Sequence, residues 1–166
     1  MSRDTSLAFR QAVYGQHTSE AFLVLLKIDH DDLAGLGLDP IRVTSDGVDT
    51  TSTLDGGSET YSAYPFTIVL PSNVEQGITR GQLIIDNIDR SIVEVIRQLS
   101  NEPCDVSIWV VTATTPNTAE ATFTGFRFTN ITYNELIVSG ELTIENFLSE
   151  PIPGDTFLPS TFPGLF

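Results

Sequence analysis

The residues of this chain that could do acid–base or metal chemistry are few, and their spacing suits it poorly. Histidine occurs twice, at His17 and His30. The run Asp29-His30-Asp31-Asp32 has a metal-like composition. However, neighbouring side chains at a strand end point to opposite faces, so few of them can meet one ion. The expectation is a solvated turn after a strand. Carboxylates and glycines between Ser45 and Glu59 could hold calcium, but they lack EF-hand spacing. No Gly-x-Ser-x-Gly elbow and no glycine-rich phosphate loop occurs. Glu141 and Glu145 could be paired as in a glycosidase, yet they fall on the wet face of a strand without aromatic platforms, as an ordinary surface would. Tyr61 and Tyr64, just before Pro65-Phe66, could form a sugar-binding patch. Trp109 lies in a stretch apolar on both sides and belongs in a core. Cys104 is the only cysteine, which leaves no internal disulfide and no cysteine zinc site. The expectation is a protein that is not an enzyme and carries no cofactor or metal.

Charge narrows the partners. Lys and Arg total 8 against 22 Asp and Glu, a formal net charge of −14, and Lys27 is the only lysine. Such a surface repels phosphate and excludes DNA binding by charge neutralisation. It is compatible with nucleic acid sliding past without adhering. The longest apolar run, near Ala21–Leu26, is far short of a membrane span. Met1-Ser2-Arg3-Asp4 lacks the apolar core of a secretory signal, so the product is expected to start there without membrane insertion.

The elements that must position these residues are mostly strands. Thr5 to Gln16 reads as a short amphipathic helix ending at Gly15. In Glu20–Asp29, Phe22, Val24, Leu26 and Ile28 line one face, with Leu23 and Leu25 on the other. That is a strand buried on both sides over its first half, with Lys27 and Asp29 reaching solvent. Asp31 to Pro40 reads as turn, Ile41–Thr44 as a strand, and Ser45–Glu59 as the most loop-like stretch. Tyr61–Leu70 and Gln82–Ile88 read as strands, and Ile92–Leu99 as a helix behind the capping-box spacing Ser91-x-x-Glu94. Val106–Ala113, Ala121–Thr129 and Ile131–Glu145 complete the strands. In the last, Leu136, Val138, Leu142 and Ile144 face one way and Ser139, Glu141, Thr143 and Glu145 the other. Phe123 changes parity relative to Phe126 and Phe128 across Gly125, which calls for a bulge.

Residues 1–149 therefore read as a single domain, mainly β with minor α: an antiparallel β-barrel or sandwich with a flanking helix. Residues 150–166 hold four prolines among Phe157, Leu158, Phe162, Leu165 and Phe166. Proline forbids helix or central strand there. The apolar content points to an extended arm that docks on this subunit or a neighbour.

Several stretches together resemble a known family. They are Leu25-Leu26-Lys27-Ile28-Asp29-His30, Tyr64–Pro71, Gly81–Ile88 leading into the Ile92–Leu99 helix, and the closing Phe162-Pro163-Gly164-Leu165-Phe166. In that order they are similar to a phage-related family of unknown function found in the tail modules of long-tailed bacteriophages, with distal tail and hub-like minor tail proteins. The resemblance implies a barrel fold shared with tail tube and distal tail proteins. It also implies a ring around the DNA channel, six copies or alternatively three, between the tube and the receptor-binding tip. Partners would be further copies of the chain and the adjacent tube, tape-measure and tip proteins. The location would be the virion, after synthesis in the host cytoplasm. Within that expectation Asp46, Asp49, Asp55, Glu59, Phe162, Leu165 and Phe166 are candidate subunit contacts, and Ser139, Glu141, Thr143 and Glu145 a candidate lumen lining. The competing expectations are a major tail tube protein and a carbohydrate-binding β-sandwich using Tyr61 and Tyr64.

Overall fold

A computed structural model describes residues 5–15, 18, 20–70, 81–86, 91–100, 102–134 and 136–144. Its centre is the strand β1 (Phe22–Asp29), paired over all eight residues with β7 (Cys104–Thr112) in antiparallel register. Beyond β7 lie β8 (Ala121–Tyr133) and β9 (Ile137–Ile144), then β6 (Gly81–Asp86) and the edge strand β5 (Phe66–Val69). On the other side of β1 come β2 (Ile41–Thr44), β4 (Glu59–Ala63) and the edge strand β3 (Thr50–Ser52).

The mainly-β expectation holds, but the closed barrel and the sandwich give way, among the described residues, to a single open sheet of nine strands, ordered β3-β4-β2-β1-β7-β8-β9-β6-β5. It is also mixed rather than antiparallel, because β2 and β4 run parallel. The β3–β4 hairpin turns back through residues 53–58, and its second strand is the one that joins β2, in the parallel sense. Period-two patterning specifies faces, not closure, which is why the sequence could not distinguish a curled sheet from an open one.

Both faces of the sheet are covered in part. Leu26 and Ile28 of β1, Val106 and Ile108 of β7, Phe126 and Phe128 of β8, and Val138 and Leu142 of β9 form the main core. Against it packs helix α3 (Ser91–Ile96) through Ile92 and Val93. On the opposite face Leu23, Leu25, Tyr61, Trp109 and Val111 make a smaller cluster. The alternate parities of β1 and β7 thus serve two cores, as their two-sided apolar pattern requires.

Two irregularities interrupt β8, and the first keeps its phenylalanines on one side. The register slips between Val106 and Ile108, opposite Gly125 at φ +81°, so Phe123 joins Phe126 and Phe128 on the main-core face. Glycine adopts that left-handed backbone without steric cost. The second slip follows Thr129 at Asn130 (φ +53°), and β8 continues to Tyr133 instead of ending at Thr129. The Asn134 side chain then accepts from the amides of Leu136 and Ile137 and closes the hairpin. Leu136 consequently stands in the turn, 72% exposed, and not on the buried face expected for it.

The stretch after β1 is likewise helix, not turn. Helix α2 (Asp31–Leu36) is capped by His30, whose Nδ1 accepts from the Asp32 amide at 3.1 Å. Asp31 and Asp32 sit in its first turn, where the helix dipole favours carboxylates, and Gly37 ends it at φ +67°. His30 is buried, so the expected solvated histidine is a structural cap. Residues 145–166, including the proline-rich arm, lie outside the described residues.

Candidate functional site

The smaller apolar cluster is covered by the β3–β4 hairpin, and one carboxylate fastens it. Leu54 packs against the cluster, and Tyr61 meets Trp109 edge-to-face at 6.4 Å between ring centroids. Immediately beside them Asp55 Oδ1 accepts from Lys27 Nζ at 2.8 Å, and Oδ2 accepts from Arg42 Nε and Nη2 at 3.1 and 2.8 Å. Lys27 also lies 3.0 Å from Asp29. On β1, Lys27 has the parity of Leu23 and Leu25, so its stem follows the cluster and its ammonium reaches the hairpin. The chain's only lysine is therefore paired inside the fold rather than free in solvent. From the other side Ser52 Oγ donates to the Pro116 carbonyl, and Asn117 Oδ1 accepts from the Thr53 amide.

Burial pushes the Asp55 carboxyl up, but hydrogen bonds from Lys27 and Arg42 outweigh it and hold the group below its ordinary range. Burial likewise draws Lys27 down, and Asp55 with Asp29 reverse this to leave it raised. Both shifts favour the ionised pair. Tyr61 is fully buried, and burial first, with Asp55 second, pushes its hydroxyl to about 12. A platform of Tyr61 and Tyr64 for sugar is thereby removed: Tyr61 is core, and Tyr64 packs against the main core.

The remaining loop acids have separate roles. Asp46 Oδ1 accepts from the Gly47 amide, and Asp49 Oδ1 accepts from Ala63 of β4 at 2.8 Å. Glu59 stands 3.7 Å from Arg42 and is 40% exposed. Asp46 and Asp49 have no cation beside them among the described residues, whereas Asp55 has two. Three residues expected to be loop are the strand β3, since Thr50 and Thr51 have the β-branched side chains that suit a pleat.

The strip expected to line a lumen does share a face. Ser139, Glu141 and Thr143 alternate with buried Val138, Gly140 and Leu142 along β9. Each has a local partner: Ser139 Oγ lies 2.9 Å from Thr132 Oγ1, Glu141 accepts from Asn130 Nδ2 at 3.0 Å, and Thr143 donates to the Arg127 carbonyl. The register continues this polar strip across the sheet through Gln82, Thr129, Arg127 and Asp105. Arg127 and Asp105 are 3.3 Å apart, so the face carries both signs of charge. Glu145, Phe162, Leu165 and Phe166 lie outside the described residues.

A fully buried carboxylate escaped the sequence reading altogether. Glu120, 3% exposed, accepts from the amide and hydroxyl of Ser6, both at 2.7 Å. Ser6 is the N-cap of helix α1 (Leu7–Tyr14), and its Oγ also accepts from the Phe9 amide. Phe9 stacks edge-on against Phe22 at 4.9 Å. An acid after a polar threonine-rich run gives no local sign that it will cap a helix more than a hundred residues away. His30 Nε2 and Tyr61 Oη are buried and make no hydrogen bond among the described residues. No group of three or more His, Cys, Asp or Glu able to hold a metal occurs among them either.

The model of the family described as "Domain of unknown function (DUF1833)" matches residues 8–157. No curated protein matches the chain.

Proposed function

The chain belongs to the family Domain of unknown function (DUF1833), and from that premise we propose that it is a structural protein of a bacteriophage tail tip. In this reading it is a distal tail or hub component whose copies form a ring around the DNA channel. Six copies are proposed, with three as the alternative. The observation that supports it best is the open sheet: among the described residues, β3 and β5 are paired on one side only. An unpaired strand edge is a template for joining another chain. The excess of acid, −14 for the whole chain, suits a protein past which DNA moves without sticking. The polar strip of Ser139, Glu141 and Thr143 is the proposed channel side, and beside it Arg127 is paired with Asp105 within the sheet.

The test is a copy count of this chain in purified virions by quantitative mass spectrometry against the capsid protein. Three or six copies support the tip ring. A count on the order of a hundred assigns the chain to the tube, because a stacked tube repeats the same ring many times. Absence from the particle rejects the structural role.

A further inference from the structure

Helix α1 is apolar on two opposite sides, and among the described residues only one of them is packed against. Phe9 turns inward onto Phe22. Leu7 and Tyr14, two turns apart on the other side, are 71% and 87% exposed. Arg10, also exposed, lies between them and is the helix's only charged residue. Its Nε donates to Thr5 Oγ1, which steadies the guanidinium along the helix. Surface leucine and tyrosine are ordinary singly. A stripe of Leu7, Arg10 and Tyr14 on a helix whose N-cap Ser6 is bonded to buried Glu120 has the composition of a contact surface.

The rest of the chain indicates the occupant. A cationic, apolar stripe in a chain of net charge −14 is complementary to the chain's own surface. One described turn combines the matching features: Val48 is 70% exposed and flanked by Asp46 and Asp49. Those two carboxylates each use one oxygen to hold a backbone amide and have no cation nearby among the described residues.

We propose that α1 docks through Leu7, Arg10 and Tyr14 onto the Asp46–Asp49 turn of a second copy of the chain. Leu7 and Tyr14 cover Val48, and Arg10 lies between the two carboxylates. The inference rests on the self-assembly reading above and names the surfaces that carry it.

The test is sedimentation of the full chain over a range of concentration and salt, with melting followed in parallel. The wild type self-associates; salt screens both the Arg–carboxylate contact and the repulsion between two acidic chains, so each variant is compared with the wild type at the same salt concentration. Leu7→Ser/Tyr14→Ser, Arg10→Glu and Val48→Lys each weaken association about tenfold or more and leave the melting temperature of the monomer unchanged. A wild type that stays monomeric, or variants that associate as it does, overturns the proposal. A lowered monomer melting temperature in Leu7→Ser/Tyr14→Ser also overturns it, because the stripe is then covered by its own chain. The virion count separates the two readings. Ring copy numbers that persist in all these variants reject the α1 contact alone. Absence from virions with α1-dependent association in solution rejects the tail role alone.

Discussion

Gly140 of β9 lies directly against the ring of Phe128 on β8. A Cβ at position 140 would stand 2.6 Å from Phe128 Cε2 and 2.9 Å from the carbonyl oxygen of Thr129. Phe128 is fully buried, so the ring cannot swing into solvent. The glycine is what lets the buried Phe128 ring lie against its neighbouring strand, next to the Asn130 bulge.

Gly140→Ala is therefore expected to destabilise the fold by about 1–3 kcal/mol, the usual cost of overpacking. Urea unfolding measures it, with an unchanged denaturant slope. Phe128→Leu in the same chain removes the ring clash but not the one with the Thr129 carbonyl. The pair should therefore be less than additive without full recovery. Unaltered stability of Gly140→Ala would show that strands β8 and β9 separate easily here.

Asp55→Asn leaves Lys27 and Arg42 without their shared carboxylate and is expected to cost about 2 kcal/mol, the range for hydrogen bonds to charged groups. The pH profile has a defined sign. Asp55 sits below its ordinary value of 3.8 in the folded state. Its contribution is full above that value and is lost as pH falls through the lower folded one. Lys27, raised above 10.5, contributes fully below that value and loses its share as pH climbs through the raised one. Melting temperature against pH should thus fall less steeply in acid for Asp55→Asn than for the wild type. Parallel acid limbs would remove Asp55 from the account.

Cys104 reports on the main core. Burial, with Asp105 second, pushes its thiol from 9.0 to about 11. The thiolate is the reactive form, so the native protein at pH 8 should react with a thiol reagent only through opening. Labelling is expected to follow the unfolding rate across urea concentrations. Rapid full labelling of the native chain would contradict the burial. By linkage, Cys104 and Tyr61 both favour the fold fully below their ordinary values. They lose that share as pH rises through about 11 and about 12 respectively.

Ser6→Ala removes the N-cap hydroxyl and its bond to Glu120 Oε1, while the Ser6 amide keeps its bond to Oε2, at a cost of about 1 kcal/mol. The loss should be local. Hydrogen exchange is expected to quicken across Leu7–Tyr14 and stay constant in β1 and β7. Uniform acceleration would mean that α1 belongs to the same cooperative unit as the sheet.

Much of the sheet was legible because it rests on parity. Leu23 and Leu25 against Leu26 and Ile28, Val138 and Leu142 against Ser139 and Thr143, and the Gly125 bulge all follow from side chains alternating about an extended backbone. The candidate strip on β9 was legible for the same reason. Helix α2 was missed because glycine and aspartate suggested turn, although His30 and Gly37 occupy its capping positions and Asp31 and Asp32 its first turn. The partners of Asp55 and Glu120 were not legible, since both depend on residues far away in the chain.

What the sequence by itself determined is which side of each strand is apolar, where two faces must both be buried, and a surface strongly acidic overall. Those properties reside in local covalent geometry and composition. Only the tertiary structure decided the strand order, the open sheet in place of a barrel, the parallel step from β2 to β4 and the pairing of Lys27 with Asp55. It also decided that Phe9 faces inward while Leu7 and Tyr14 do not. Each of these is a choice among distant partners that satisfy the same local pattern, and only the summed packing of the whole chain distinguishes them.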